Sequence, residues 1–360
     1  MRIDKMLKRN VFLAILAAML LVGSLFVLVP ARAQVPGTPS ATPTPTPNPD
    51  DEVIKIESDV VNVLFTAQDK NRRLLTDLKD SDVALYEDGK PQEITAFSRQ
   101  VDLPMSMSIL IDVSLSQSRT LPEEKSAAVE FLESVMRPAK DEVSVVSFTG
   151  ESTLEQNMTN NLPRLRRAIN DIRIIPPSGY LGAGVGAGGT PPLSSRNADV
   201  QGSTAIWDAI WVTSDEVLGP APEHTRRAII ILTDGVSNSG LKKLDDAVNA
   251  SLKAEAIIYA IGIGDNYYSG VDRGVLNKLT ERTGGRAYFP RDERDLRDAF
   301  AQIQDEMRSQ YLISYEPTNQ NRDGSYRRIE VKLTSPVYQK DKIQLTYRQG
   351  YFSKTGAPPK

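Results

Sequence analysis

The chain has 360 residues, with 43 Lys and Arg against 46 Asp and Glu, one histidine and no cysteine. That length can bury a real core and suggests two or three domains. The missing cysteines exclude disulfides, thiolate metal sites and Cys nucleophiles, the lone His224 excludes multi-histidine zinc sites, and a formal net charge of −3 speaks against a nucleic-acid binder, which needs a basic field.

The N-terminus reads as an export signal. Arg2, Lys5, Lys8 and Arg9 form a basic cluster, Val11 to Val29 is an uncharged and mostly apolar run, and Ala31-Arg32-Ala33 has the small-x-small form of a cleavage site. The run is near the length of a short membrane span, so retention as an anchor is the alternative to cleavage. Residues 1–33 hold five basic side chains and one acidic one; their removal takes the net charge from −3 to −7. The expected location is secreted or in the cell envelope. Residues 34–51 follow as a Pro/Thr-rich linker, with prolines at alternate positions from Pro43 to Pro49 that favour extended backbone.

From residue 52 to 102 the hydrophobic period is two. Val61, Val63 and Phe65 alternate, Val83 to Tyr86 leads into the turn Glu87-Asp88-Gly89-Lys90, and Ile94 to Phe97 follows. Residues 308–352 have the same character, with strands expected at Tyr311 to Tyr315, Ile329 to Leu333 and Ile343 to Tyr347, before a short tail, 353–360. Neither piece makes a sandwich alone, so the two are expected to pair into one small β-sandwich with the middle of the chain inserted between them.

That middle, 103–307, alternates strands and helices. Strands are expected at 106–113, 142–148, 228–232, 256–263 and 286–289, and helices at 123–136, 162–172, 205–217, 244–254, 275–283 and 296–307. The pattern implies an α/β fold: a doubly wound, mostly parallel sheet covered on both faces, with ligands at the carboxyl ends of its strands.

Three such ends carry oxygen ligands. Asp112-Val113-Ser114-Leu115-Ser116 follows the first strand, Gly202-Ser203-Thr204 opens a helix, and Thr233-Asp234-Gly235 ends a later strand. Carboxylates and hydroxyls without nitrogen or sulfur suit a hard divalent cation. At these residues the chain resembles the von Willebrand factor A domain family, whose metal-ion-dependent adhesion site has this Asp-x-Ser-x-Ser run, later threonine and Thr-Asp-Gly run. The flanks, Leu85 to Ile94 and Tyr315 to Leu333, look like those of a bacterial exported subgroup. The resemblance implies a Rossmann-like domain with metal ligands Asp112, Ser114, Ser116, Thr204 and Asp234. It implies Mg²⁺ as the cofactor, with Mn²⁺ or Ca²⁺ as alternatives. The implied role is non-enzymatic adhesion, in which the ion accepts an Asp or Glu carboxylate from a partner protein. The family's last helix slides in some members; in this chain 296–307 runs almost directly into the strand at Tyr311, and a simply docked helix is the preferred reading.

Other motifs weigh less. Gly184-x-Gly186-x-x-Gly189 mimics a dinucleotide loop, but it lies between Pro-Pro pairs with no helix to receive a pyrophosphate. Thr190, beside it, competes with Thr204 as the threonine ligand; Thr204 is preferred because a helix starts there. Asn319-x-Asn321-x-Asp323-Gly324 with Glu330 mimics a calcium loop but has strand flanks, so a hairpin turn is expected. Trp207 and Trp211 read as core. The rival functions are a structural module of an envelope or secretion assembly, in which a metal only stabilises the fold, and a metal-assisted hydrolase, for which the isolated His224 is a poor base. No nucleic-acid partner is expected, and membrane contact only through an uncleaved N-terminus.

Overall fold

A computed structural model describes residues 59–99, 103–174, 180–181, 185–186, 204–222, 225–264, 270–340 and 342–356. The export signal, the linker, most of the Gly-rich run, Thr190 and His224 lie outside the described residues. Among the described residues no helix is long and apolar enough to cross a membrane.

In chain order the strands are β1 (Val61–Gln68), β2 (Val83–Glu87), β3 (Lys90–Gln92), β4 (Ile94–Arg99), β5 (Met105–Asp112), β6 (Glu142–Phe148), β7 (Ser152–Thr159), β8 (Tyr180–Leu181), β9 (Val185–Gly186), β10 (Arg226–Thr233), β11 (Ala256–Gly262), β12 (Ala287–Tyr288), β13 (Tyr311–Tyr315), β14 (Tyr326–Leu333), β15 (Gln344–Tyr347) and β16 (Gly350–Phe352). The helices are α1 (Leu121–Val135), α2 (Leu162–Asp171), α3 (Ile206–Val212), α4 (Leu244–Lys253), α5 (Arg273–Thr283), α6 (Glu293–Arg308) and α7 (Pro336–Lys340).

The central sheet has the order β12-β11-β10-β5-β6-β7, parallel except for β7. Every residue of β5 is buried, as expected for the middle of a sheet covered on both faces. Alternation along each strand sorts its side chains. Met107, Ile109 and Ile111 of β5 pack with Ile230 and Leu232 of β10 under α1, α2 and α6. Leu110, Ile229 and Ile231 face α3, α4 and α5. The chain leaves β5 toward β6 on one side and later returns to place β10 on the other. The crevice above the β5/β10 boundary is therefore the topological switch point of the doubly wound sheet.

The two flanking segments build two antiparallel sheets, β15-β1-β13-β4 and β16-β14-β2-β3. Each mixes strands from before and after the α/β lobe: β1 pairs with β13 and β15, and β14 pairs with β2. Val63, Phe65, Leu85, Ile313, Tyr315 and Val331 fill the space between them. The expected sandwich of N- and C-terminal segments is thus present. Its buried Glu87 accepts hydrogen bonds from the Tyr315 and Tyr351 hydroxyls at 2.7 and 2.8 Å and faces Arg327 at 3.4 Å.

The departures from the sequence expectation include α7, β16 and three further features. β7 is an unexpected antiparallel edge strand; most of its side chains are exposed, so no apolar period marks it, and its pairing with β6 is irregular. The helix expected over 205–217 is α-helical only to Val212 and continues as a π-helix, Thr213–Leu218. Within the Gly-rich insertion, Tyr180 pairs with Gly186 and Leu181 with Val185 in a minimal hairpin.

Candidate metal centre

The site begins where β5 stops. Val113 makes the last ladder bond, its N–H donating to Phe148 O at 2.9 Å. Ser114 N–H then donates to Asp112 Oδ1 at 3.0 Å, an Asx turn that lifts the chain off the sheet. The turn brings the Ser114 and Ser116 hydroxyls to 3.0 Å from each other. A short 3₁₀ turn, Leu115–Gln117, follows, and the buried Gln117 amide donates to Ile263 O at 3.1 Å, tying the loop to the end of β11.

The end of β10 meets the same place. The Thr233 hydroxyl donates to Asp112 Oδ2 at 2.6 Å and accepts from Gly235 N–H at 3.2 Å. Asp234 Oδ1 accepts from Val236 N–H at 2.9 Å, and its carbonyl accepts from Asp272 N–H, at the start of α5, at 2.8 Å. Gly235 has φ +81, and a Cβ there would stand 2.9 Å from Leu276 Cγ, so the motif needs its glycine for both conformation and space.

Thr204 is held by its backbone. Its N–H donates to Asn238 Oδ1 at 2.7 Å; its carbonyl accepts from the Ser237 hydroxyl at 3.2 Å and from Asn238 N–H at 3.1 Å. The next residue, Ala205, donates to Thr149 O at 2.7 Å, just beyond β6. The loop after Asp234 and the end of β6 together fix the start of α3 at the carboxyl end of the sheet.

All five residues expected from the sequence therefore lie at one end of the sheet, around the switch point. Asp112, Ser114 and Asp234 form one connected cluster with Thr233, and Ser116 joins through Ser114. Thr204 reaches the group through the residues that follow Asp234. Asp112 is wholly buried; Asp234, Thr204 and Ser114 are 3%, 5% and 6% exposed, and Ser116 is half-buried. Burial pushes the Asp112 carboxyl up to about 6, with the nearby Asp234 charge adding to the rise and the Ser114 and Thr233 hydrogen bonds opposing it. Among the described residues no three carboxylate or histidine side chains converge as a metal-binding group, so the donor set here is two carboxylates plus hydroxyls. Such a set, desolvated and short of positive charge, fits a hard divalent cation that keeps some of its waters.

Sequence reasoning missed the support. In the sequence Thr233 is only the first letter of a motif, yet in the fold it holds Asp112. Asn238, Thr149 and Asp272 act through loop hydrogen bonds that no spacing reveals. The calcium-like run does not converge. Arg327 donates to the carbonyls of Asn319, at 2.5 Å, and Asn321, so a guanidinium stands where a cation would be. Asp323 is spent on Ser325 N–H at 2.9 Å and Ser353 Oγ at 3.0 Å. Trp207 packs against the core as expected, whereas Trp211 is half-buried beneath Lys242, 4.0 Å from its ring centre.

Two family models, both described as von Willebrand factor type A domain, match residues 107–236 and 195–302 and together span more than half of the chain. No curated protein matches the sequence. Among solved structures, proximal thread matrix protein 1 from the mussel byssus is similar at 18% identity and TM-score 0.43, over 58% of this chain and 49% of that one. The present chain thus spans about half the length of the mussel protein. The same mussel protein with a zinc-occupied MIDAS motif aligns at 17% identity and TM-score 0.45, over 61% and 49% of the two chains. An aerotolerance-related membrane protein from Bacteroides fragilis aligns at 17% identity and TM-score 0.41, over 56% of this chain and 100% of that one. On the family models, and on a six-stranded, mostly parallel sheet with helices on both faces, the chain belongs to the von Willebrand factor type A domain family.

Proposed function

We propose that this chain is an exported protein-binding module that holds a divalent cation, Mg²⁺ first, through Asp112, Ser114, Ser116, Thr204 and Asp234, and uses it to capture an acidic side chain of a partner protein. The observation that carries the reading is the union of two buried carboxylates with neutral hydroxyls at the switch point of the sheet. Two carboxylates balance the ion's charge without surplus, and hydroxyl ligands leave it electrophilic, so a bound ion would supply an open coordination position for one further carboxylate. Exposed apolar side chains stand on the loops around this cluster: Leu115 inside the first motif, and Val236 and Leu241 after the third, the last 93% exposed. An apolar rim around a charged centre suits a protein surface better than a small polar substrate. Export rests on the basic cluster Arg2 to Arg9 and the apolar run behind it.

The test has two parts. Mg²⁺ should raise the melting temperature of the full chain, EDTA should reverse the effect, and Asp112→Ala should abolish it. A crosslinking pull-down from envelope extract should then recover proteins with the wild type in Mg²⁺ that are lost in EDTA and with Asp112→Ala. Equal recovery in all arms, with the melting response intact, would favour a metal that only stabilises the fold.

A further inference from the structure

Glu124 plays no part in the reading above. It sits in the first turns of α1, eight residues beyond Ser116, and is fully buried. Neither of its carboxyl oxygens has a hydrogen-bond partner among the described residues. Buried acids are normally paired, and one that is not calls for a physical reason.

The surroundings sharpen the anomaly. The Thr120 hydroxyl donates to Gln117 Oε1 at 3.0 Å, Gln117 Nε2 to Ile263 O at 3.1 Å, Ile263 N–H to Thr233 O at 3.0 Å, and Thr233 Oγ1 to Asp112 Oδ2 at 2.6 Å. These bonds tie the turn before α1 to the ends of β11, β10 and β5. Among the charged groups that act on Glu124, Asp112 at the end of β5, Asp234 after β10 and Glu123 on its own helix are negative. Burial first, and these charges with it, push the carboxyl up to about 8, against the pull of the Thr120 hydroxyl. An apolar side chain would fit this wall of the core, beside Leu121, Ala127 and Ala128, without such a cost.

We infer that Glu124 is an outer carboxyl of the cation site, facing through water an ion held at Asp112 and Asp234 and adding a third negative charge behind it. The inference rests on the cation reading given above. Direct ligation is not involved, since no three carboxylates of the described residues converge at ligand distance. A bound ion would favour the ionised form of Glu124, whose proton would pass to solvent and whose carboxylate would remain as counter-charge. Groups in this outer position tune metal affinity as strongly as some ligands do.

The experiment is calorimetric titration of the full chain with Mn²⁺ at pH 7, using wild type, Glu124→Gln, Glu124→Met and Asp112→Ala. Glu124→Gln keeps the shape and removes the ionisable group. Glu124→Met should melt, metal-free, at or above the wild-type temperature, which separates an affinity loss from a folding loss. Both Glu124 variants should bind Mn²⁺ about tenfold more weakly or worse. The protons released per ion, read from buffers of different ionisation enthalpy, should fall with them. Wild-type affinity in both Glu124 variants, with binding lost in Asp112→Ala, would overturn the role of Glu124 and leave the cation site standing. Absence of Mn²⁺ binding by the wild type would overturn the site itself, and this inference with it.

Discussion

Asp112 serves two masters, the fold and the site. Its carboxyl is wholly buried and pushed up to about 6, and Glu124 behind it is pushed up to about 8, burial being the first cause in both. Acids raised in the folded state bind more protons folded than unfolded, so the stability they contribute is fully present below pH 4 or so. It is lost as pH rises through 6 and then 8. The metal-free chain in EDTA should therefore melt higher at pH 5 than at pH 8. Glu124→Gln should flatten the upper part of that fall, and saturating Mg²⁺ should shrink the whole of it, since the ion rewards ionised carboxylates. Scanning calorimetry across pH reads all three; a metal-free melting temperature that rises from pH 5 to pH 8 would refute the burial argument. Thr233→Val is the matching test of support: it leaves Asp112 Oδ2 without its donor and should cost about 1–3 kcal/mol in a urea titration. The sequence showed the ligand candidates because small oxygen-bearing residues at strand ends are rare in a continuous apolar pattern. It hid Glu124, which sits in a Glu-Glu-Lys run that looks like any solvated helix start, and it hid Asn238, whose side chain and backbone meet Thr204 only after folding.

At the scale of elements, the open question from the sequence is whether α6 is docked or free to slide. Glu306, near its C-terminal end, is 1% exposed and draws in three side chains from β1 and from β12 and its approach. Its Oε1 accepts from Gln68 Nε2 of β1 at 3.0 Å and from the Tyr288 hydroxyl of β12 at 2.8 Å, and stands 2.9 Å from Arg286 Nε. Burial raises its pKa, while Arg286 and the hydrogen bonds work against the rise. On the opposite wall Phe300 stacks on Phe131 of α1, with ring centres 4.8 Å apart. A helix pinned by a buried carboxylate and a stacked ring cannot slip without breaking both, so the docked reading is favoured. Hydrogen exchange over residues 293–315 should show equal protection with and without Mg²⁺. Glu306→Leu, which strands Arg286 and Tyr288, should cost about 3–5 kcal/mol. Protection that drops on adding Mg²⁺ would revive the sliding helix. The amphipathic period of α6 was legible, with Leu296, Phe300, Ile303 and Met307 all buried. The pin was not, because Glu306 reads as one acid among many until β1, from far earlier in the chain, is folded against it.

Over the whole molecule, the sandwich and the α/β lobe share a joint rather than a tether. The described residues of the sandwich and of the lobe belong to one compact unit. At the joint, Gly284 ends α5 in the left-handed conformation with φ +87, and a Cβ there would stand 2.4 Å from Arg348 N and 2.8 Å from Tyr347 C, both backbone atoms of the sandwich. Arg348 reaches across to Glu255 at 3.2 Å and to Asn62 O at 2.6 Å, and Arg286 Nη2 of the lobe donates to Thr346 Oγ1 at 2.9 Å. Because each sandwich sheet needs strands from both flanks, the chain cannot complete the sandwich until the lobe between them has brought its ends together. The full chain should therefore unfold in a single transition, with calorimetric and van't Hoff enthalpies in agreement. Gly284→Ala tests the joint directly. A left-handed alanine costs about 1–2 kcal/mol before any clash, and here the obstacle is backbone, which has no flexible end to swing aside. The variant should lose about 2 kcal/mol or more, and its unfolding should broaden or split as lobe and sandwich part company. An unchanged urea midpoint with one sharp transition would mean that the two halves meet too loosely for the motion of one to be felt by the other, and any signal from the cation site would then end in the lobe that carries it.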